Sequence, residues 1–136
     1  MSYYYDRDID YLEVVESYSK SYGEPVNKCL VVFKAESDGS VLGFSLEEAS
    51  SNMRELLRLP VKFRMAGLIY VLRKKENLSQ VELQDKTGVS RRTIQRIEKG
   101  ELGISLENLT SIMQKFPQYD FSILLEPQKI IDLRSA

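Results

Sequence analysis

At 136 residues the chain is about one average domain long, or two small units sharing a core. Its 43% hydrophobic and 29% charged residues give enough apolar surface to fold and too much charge for a fibrous or membrane-embedded protein. The longest apolar runs, such as Cys29-Leu30-Val31-Val32-Phe33, fall far short of the roughly 20 residues needed to cross a bilayer.

The first residues, Met1-Ser2-Tyr3-Tyr4-Tyr5-Asp6, lack a basic stretch followed by an apolar core, so a cytoplasmic protein is expected. The single cysteine, Cys29, cannot form an internal disulfide and sits among apolar neighbours, as a buried thiol would. Histidine is absent, which removes the commonest general base and the commonest metal ligand. The pairs Asp8 with Asp10 and Glu47 with Glu48 read as solvated partners of helix starts rather than as catalytic carboxylates. No enzyme, metal or cofactor is expected.

The net charge of -1 hides a division along the chain. Residues 1–57 carry five basic groups against eleven acidic ones, residues 58–101 carry eleven against five, and residues 102–136 three against four. A cationic segment inside an acidic protein is the pattern left by a nucleic-acid footprint, and equally that of an ordinary solvated helix surface.

In chain order, Ile9, Leu12, Val15 and Ser19 share one helical face over residues 6–22, with Tyr11, Val14, Tyr18 and Tyr22 nearby, which predicts an amphipathic helix ended by Gly23 and Pro25. Residues 27–35 are rich in β-branched and aromatic side chains, Ser37-Asp38-Gly39-Ser40 is a turn, and residues 41–44 return as a second strand. Ser45 with Glu48 spells a capping box before a helix over residues 46–57, which Pro60 closes. The third helix, over residues 65–75, places Leu68, Ile69 and Leu72 on one face and ends in Arg73-Lys74-Lys75.

Ser79 with Glu82 forms a second capping box, opening a short helix through Val81, Leu83 and Lys86 that stops at Gly88. Ser90 caps the next, which runs through Ile94 and Ile97 to Gly100; Ser105 opens another with Leu106, Leu109 and Ile112, and Pro117 ends it. Val81, Leu83, Val89, Ile94, Ile97, Leu106, Leu109 and Ile112 are the expected core of this region. Residues 119–125 alternate well enough for a strand, and residues 129–133 suggest another.

Two short helices joined through a glycine turn, the second with an exposed cationic N-terminal half, are the mechanical requirement for reading a major groove. Ser79-Gln80 at the start of the first helix, Gly88-Val89-Ser90 at the turn, Thr93-Ile94 on the second and Ile97-Glu98-Lys99-Gly100 at its end closely resemble the helix-turn-helix of the phage repressor and Cro family, often called XRE-like. The resemblance covers roughly 55 residues with the flanking helices; one departure is Gln84-Asp85, where that family more often has alanine and another small residue.

The resemblance implies a four- to five-helix lambda-repressor-like DNA-binding domain at 61–117; with the elements read on either side of it, a mainly α fold, α+β overall, is expected, with a small α-β-β-α unit at 1–60 for interaction or dimerisation and a C-terminal strand and tail at 118–136, whose strand invites pairing with its twofold mate in a dimer. It further implies a sequence-specific transcriptional regulator of bacterial or phage origin, a dimeric repressor on a palindromic double-stranded operator. Arg91 and Arg92 open the recognition helix, over residues 90–99, where a guanidinium fork suits the O6 and N7 acceptors of guanine. Arg96 reads a further base or clamps a phosphate, and is favoured over Gln95, which suits adenine if it faces inward. Gln80, Ser90 and Thr93 are positioning groups, and Lys99 with the Arg73-Lys74-Lys75 cluster adds affinity that falls with salt. Such a domain followed by a strand also resembles antitoxins that repress their own operons, in which case the acidic residues 1–60 would hold a toxin or another protein.

Overall fold

The structure is a computed structural model that describes residues 1–17, 19–101 and 103–127. Five strands come first: β1 (Ser2–Asp6), β2 (Tyr11–Val15), β3 (Ser21–Pro25), β4 (Leu30–Ala35) and β5 (Val41–Leu46). Four helices follow: α1 (Val61–Lys75), α2 (Gln80–Thr87), α3 (Arg91–Glu98) and α4 (Leu106–Lys115), with short 3-10 turns at Ala49–Ser51, Met53–Arg58 and Phe121–Leu124. The strands form one antiparallel sheet in the order β1-β2-β5-β4-β3.

Strand alternation sends one side chain in two toward the helices, and the register stacks those side chains into rows. Leu12 lies opposite Leu46, which lies opposite Leu30; Val14 lies opposite Phe44, which lies opposite Val32. All six are fully buried. α1 covers this face: Phe63 meets the Phe44 ring edge-on at 6.2 Å, and Gly67 brings the helix backbone close, since a Cβ there would sit 3.2 Å from Phe44. At roughly 1.5–3 kcal/mol for each large side chain, these rows are the main force holding sheet to helix. Sheet and helices share one hydrophobic core.

This architecture overturns the mainly α, lambda-repressor-like expectation with its small α-β-β-α unit: the chain is an α+β protein whose five-stranded antiparallel sheet precedes the helices. The helix expected at 6–22 is instead β1's end, β2 and β3's start. Ile9, assigned to the buried face, is exposed, while Leu12 and Val14 alternate inward. The chain reverses between β1 and β2 because Asp6 accepts a hydrogen bond from the Asp8 amide and Asp10 adopts a left-handed φ of 54°, which a short polar side chain tolerates. Tyr18, expected near that face, lies outside the described residues.

Ser45 caps nothing, because it continues β5, and Glu48 has a left-handed φ of 47° with no capping hydrogen bond. The turn that follows is held instead by Asp10, whose carboxylate accepts from the Ser50 amide at 3.0 Å and the Ser50 hydroxyl at 2.6 Å. The strand expected at 119–125 is also replaced, here by the 3-10 turn Phe121–Leu124. Phe121, Ile123 and Leu124 are buried, and the fully buried Arg64 guanidinium donates to the carbonyls of Leu59, Ile123 and Glu126. Burial pushes the Arg64 pKa below its ordinary value, and three carbonyl acceptors compensate the buried donors. The second expected strand, 129–133, lies outside the described residues. Among the described residues no helix is long and apolar enough to cross a membrane.

Candidate nucleic-acid interface

The geometry of the interface begins with two helix caps. Ser79 accepts a hydrogen bond from the Glu82 amide while the Glu82 carboxylate accepts from the Ser79 amide, each at 3.0 Å, so α2 starts with a complete capping box. Those bonds hold the Glu82 carboxyl below its ordinary pKa. Gly88 ends α2 with a φ of 78°, a conformation glycine adopts without strain, and the chain turns through Val89 into α3. Ser90 caps α3 by accepting from the Thr93 amide, and its hydroxyl lies 2.9 Å from that of Thr93.

Leu83, Val89, Ile94 and Ile97 are buried between the helices, as are Leu109 and Ile112 of α4. Val81 and Leu106, also expected in the core, are 44% and 76% exposed. Val81 sits in the first turn of α2, on the rim of an open groove bordered by Arg73, Asn77, Ser79, Gln80 and Arg91. Leu106 opens α4 on its outer side. Gln84, the departure from the family's small residue, accepts a hydrogen bond from the Arg91 amide at 2.6 Å, so its longer side chain ties α2 to the first residue of α3.

Arg91 and Arg92 are exposed at the start of α3, and neither guanidinium has a partner among the described residues. Arg96 is exposed and ion-paired with Glu101 at 2.8 Å, a solvent-facing pair that is easily exchanged for another acceptor. Gln95 and Thr93 are half-buried, and Lys99 is exposed just beyond the helix end. Gln95, Arg96 and Lys99 border one open depression with Arg92 and Glu101, whereas Arg91 borders the groove beside the start of α2. Gln80 is half-buried at the start of α2, its amide 3.4 Å from Glu98.

Arg73 does not belong to the surface cluster in which the sequence placed it. Its guanidinium grips both oxygens of Glu98 at 2.8 and 3.0 Å, and both side chains are buried. It also donates to the Leu78 carbonyl at 3.1 Å, so one side chain joins α1, the turn before α2 and the end of α3. Lys74 and Lys75 remain exposed. The signal for this pair was present in the sequence: a lone acid at Glu98 between Ile97 and Lys99, on a helix otherwise cationic, needs a reason to be there.

A second tie comes from the sheet. Tyr3 stacks on Tyr70 of α1, ring centroids 4.1 Å apart and 17° from parallel, and its hydroxyl donates to the Glu98 carbonyl. Burial first, and the Glu98 carboxylate second, push the Tyr3 phenol well above its ordinary pKa. Nothing in the sequence pairs residue 3 with residue 98. No curated protein and no solved structure matches the chain. The family model Helix-turn-helix matches residues 69–124, from the middle of α1 through the 3-10 turn Phe121–Leu124, and over that region the chain is similar to an XRE-like helix-turn-helix domain.

Proposed function

We propose that the protein is a sequence-specific transcriptional regulator, a dimeric repressor, that inserts α3 into the major groove of a palindromic double-stranded operator. The observation that carries this reading is the pair of unpartnered guanidinium groups, Arg91 and Arg92, on the first turn of a helix whose other end is fixed to the core. A bidentate fork at that place meets the two acceptors of a guanine edge. Arg96, released from Glu101, reaches a further base or a phosphate, with Gln95 beside it. Ser90, Thr93, Gln80 and Lys99 contact the sugar-phosphate backbone and set the register. The DNA-binding unit is 61–117, and residues 1–60 carry the regulatory or partner-binding function.

Selecting bound sites from random duplex DNA, and measuring their affinity against salt, tests the proposal. A defined two-half-site sequence is expected, which Arg91→Ala and Arg92→Ala relax at particular bases while Lys99→Ala weakens all sequences alike and lowers the salt slope by about one. Recovery of no consensus, or of the same consensus with the arginine variants, overturns it. The antitoxin alternative keeps only the acidic residues 1–57 in its favour, because the strand at 119–125 on which it also rested is a buried 3-10 turn.

A further inference from the structure

The outer face of the sheet, turned away from the helices, contains a groove of about 270 Å3. Ser2, Tyr3 and Tyr4 of β1 form one wall, Glu13 and Val15 of β2 the middle, and Phe33 of β4 the far side. Ser2, Val15, Gly43 and Phe33 lie in one cross-strand row, in which Gly43 lets β5 run close against β2, since a Cβ there would collide with the Val14 carbonyl oxygen. Glu13 lies in the adjoining row with Tyr4, its carboxylate half-buried and without a hydrogen bond or ion pair among the described residues. Among the described residues no basic side chain lines the groove. With Ser17, Ser19 and Ser21 closing the rim, two aromatic rings, a valine, serine hydroxyls and one unneutralised carboxylate are the chemistry of a site for a cation with an apolar body, since rings and a carboxylate attract positive charge and hydroxyl oxygens accept from an ammonium.

The same strand reaches the recognition helix. Alternation along β1 sends Tyr4 outward and Tyr3 inward, where Tyr3 bonds the Glu98 carbonyl and stacks on Tyr70. Met1 lies against Gly100, just past the end of α3: a Cβ on that glycine would fall 2.5 Å from the methionine methyl. A shift of β1 therefore acts directly on the anchored end of α3. We propose that the groove binds a small organic cation, an alkyl- or arylammonium, and that β1, through Tyr3, carries its occupancy to the recognition helix. The regulatory sense of this inference rests on the DNA-binding reading, but the site itself does not.

The test is a titration of the isotope-labelled full chain, without DNA, using n-butylammonium chloride and, as a control of the same size, sodium butyrate. Saturable amide shifts are expected at Tyr4, Glu13 and Phe33 with the ammonium alone, together with shifts at Glu98, Lys99 and Gly100. Glu13→Gln, which keeps size and removes charge, is expected to weaken binding by about fivefold or more. Tyr3→Phe is expected to keep the groove shifts and lose those at the end of α3. An equal response to butyrate, shifts that do not saturate, or unchanged affinity in Glu13→Gln overturns the site; binding that leaves residues 98–100 unmoved overturns the relay. Because no DNA is present, failure of the DNA-binding reading and failure of this one are separately visible.

Discussion

At its first turn α3 carries two guanidinium groups that no described residue holds, and two turns later Glu98 is gripped by Arg73 through its side chain and by Tyr3 through its carbonyl. The contrast follows from what a reading helix must do. Side chains that enter a groove have to be free of internal partners, because every internal bond must be broken before a base edge can replace it. Orientation then has to come from the other end, where burial and low dielectric make a bidentate ion pair rigid. On the proposed reading, one helix divides into a part that recognises and a part that aims.

The division is broken most severely at Glu98. Glu98→Ala leaves the Arg73 guanidinium buried and uncompensated, and a loss of about 3–5 kcal/mol in unfolding free energy is expected from urea denaturation. Replacing both residues by Leu and Met of similar bulk is expected to recover most of that loss, which shows whether the pair contributes stability or only geometry. If the repacked variant is stable yet binds DNA poorly, aiming is the role of the pair. At the opposite end, Arg91→Ala with Arg92→Ala is expected to reduce specific affinity by about 1–3 kcal/mol for each guanidinium lost, while the unfolding free energy stays within about 0.5 kcal/mol of the parent. Gel-shift and melting measurements on the same preparations check both halves.

These unequal outcomes mirror how unequally the sequence discloses its parts. α2, α3 and α4 are written locally: Ser79 with Glu82, Gly88, Ser90 and Ser105 each bond within three or four residues of themselves, so a reader of the sequence needs no tertiary knowledge to place them. The sheet is written non-locally. Ile9, Leu12 and Val15 fit a helical period as well as Leu12 and Val14 fit an alternating one, and the arbiter is the row Leu12–Leu46–Leu30, formed by residues up to 34 positions apart. Ser45 and Glu48 spell the same cap as Ser79 and Glu82, but Ser45 already belongs to β5 and Asp10 has taken over the turn. The exposed residues proposed to face DNA were visible because their chemistry acts outward. The bonds of Arg64 to Ile123, of Arg73 to Glu98 and of Tyr3 to Glu98 span 59, 25 and 95 residues, and of these only the lone acid Glu98 left a local hint.

A smaller effect separates the two ties on Glu98. Tyr3→Phe keeps the stack on Tyr70 and removes one neutral hydrogen bond, a cost of about 1 kcal/mol. Its signature is in the pH dependence. The folded Tyr3 phenol titrates above its ordinary value of 10.0, so its contribution is complete below that pH and is lost as pH rises toward the folded value, where the unfolded chain ionises first. Urea titrations between about pH 9 and 11 are expected to show stability falling with pH, less steeply in Tyr3→Phe. Burial raises Tyr5, Tyr70 and Tyr119 as well, so the decline persists in reduced form. An unchanged slope would mean that the Tyr3 phenol is not held buried beside Glu98 in solution.

The smallest effects belong to Val81 and Leu106, apolar side chains that the helices leave outside. Val81→Ser and Leu106→Ser remove residues 44% and 76% exposed, and each is expected to change monomer stability by no more than about 0.5 kcal/mol. Leu106 carries one further consequence. Met113 is exposed two turns along the same helix, so together they present an apolar strip that a dimeric repressor has reason to cover. If a second copy covers it, the parent melts at a temperature that rises with protein concentration, and Leu106→Lys abolishes that rise while leaving the dilute-limit melting temperature in place. A concentration-independent melt in both proteins would leave the strip bare and move the search for the dimer contact to the sheet edges at β1 and β3.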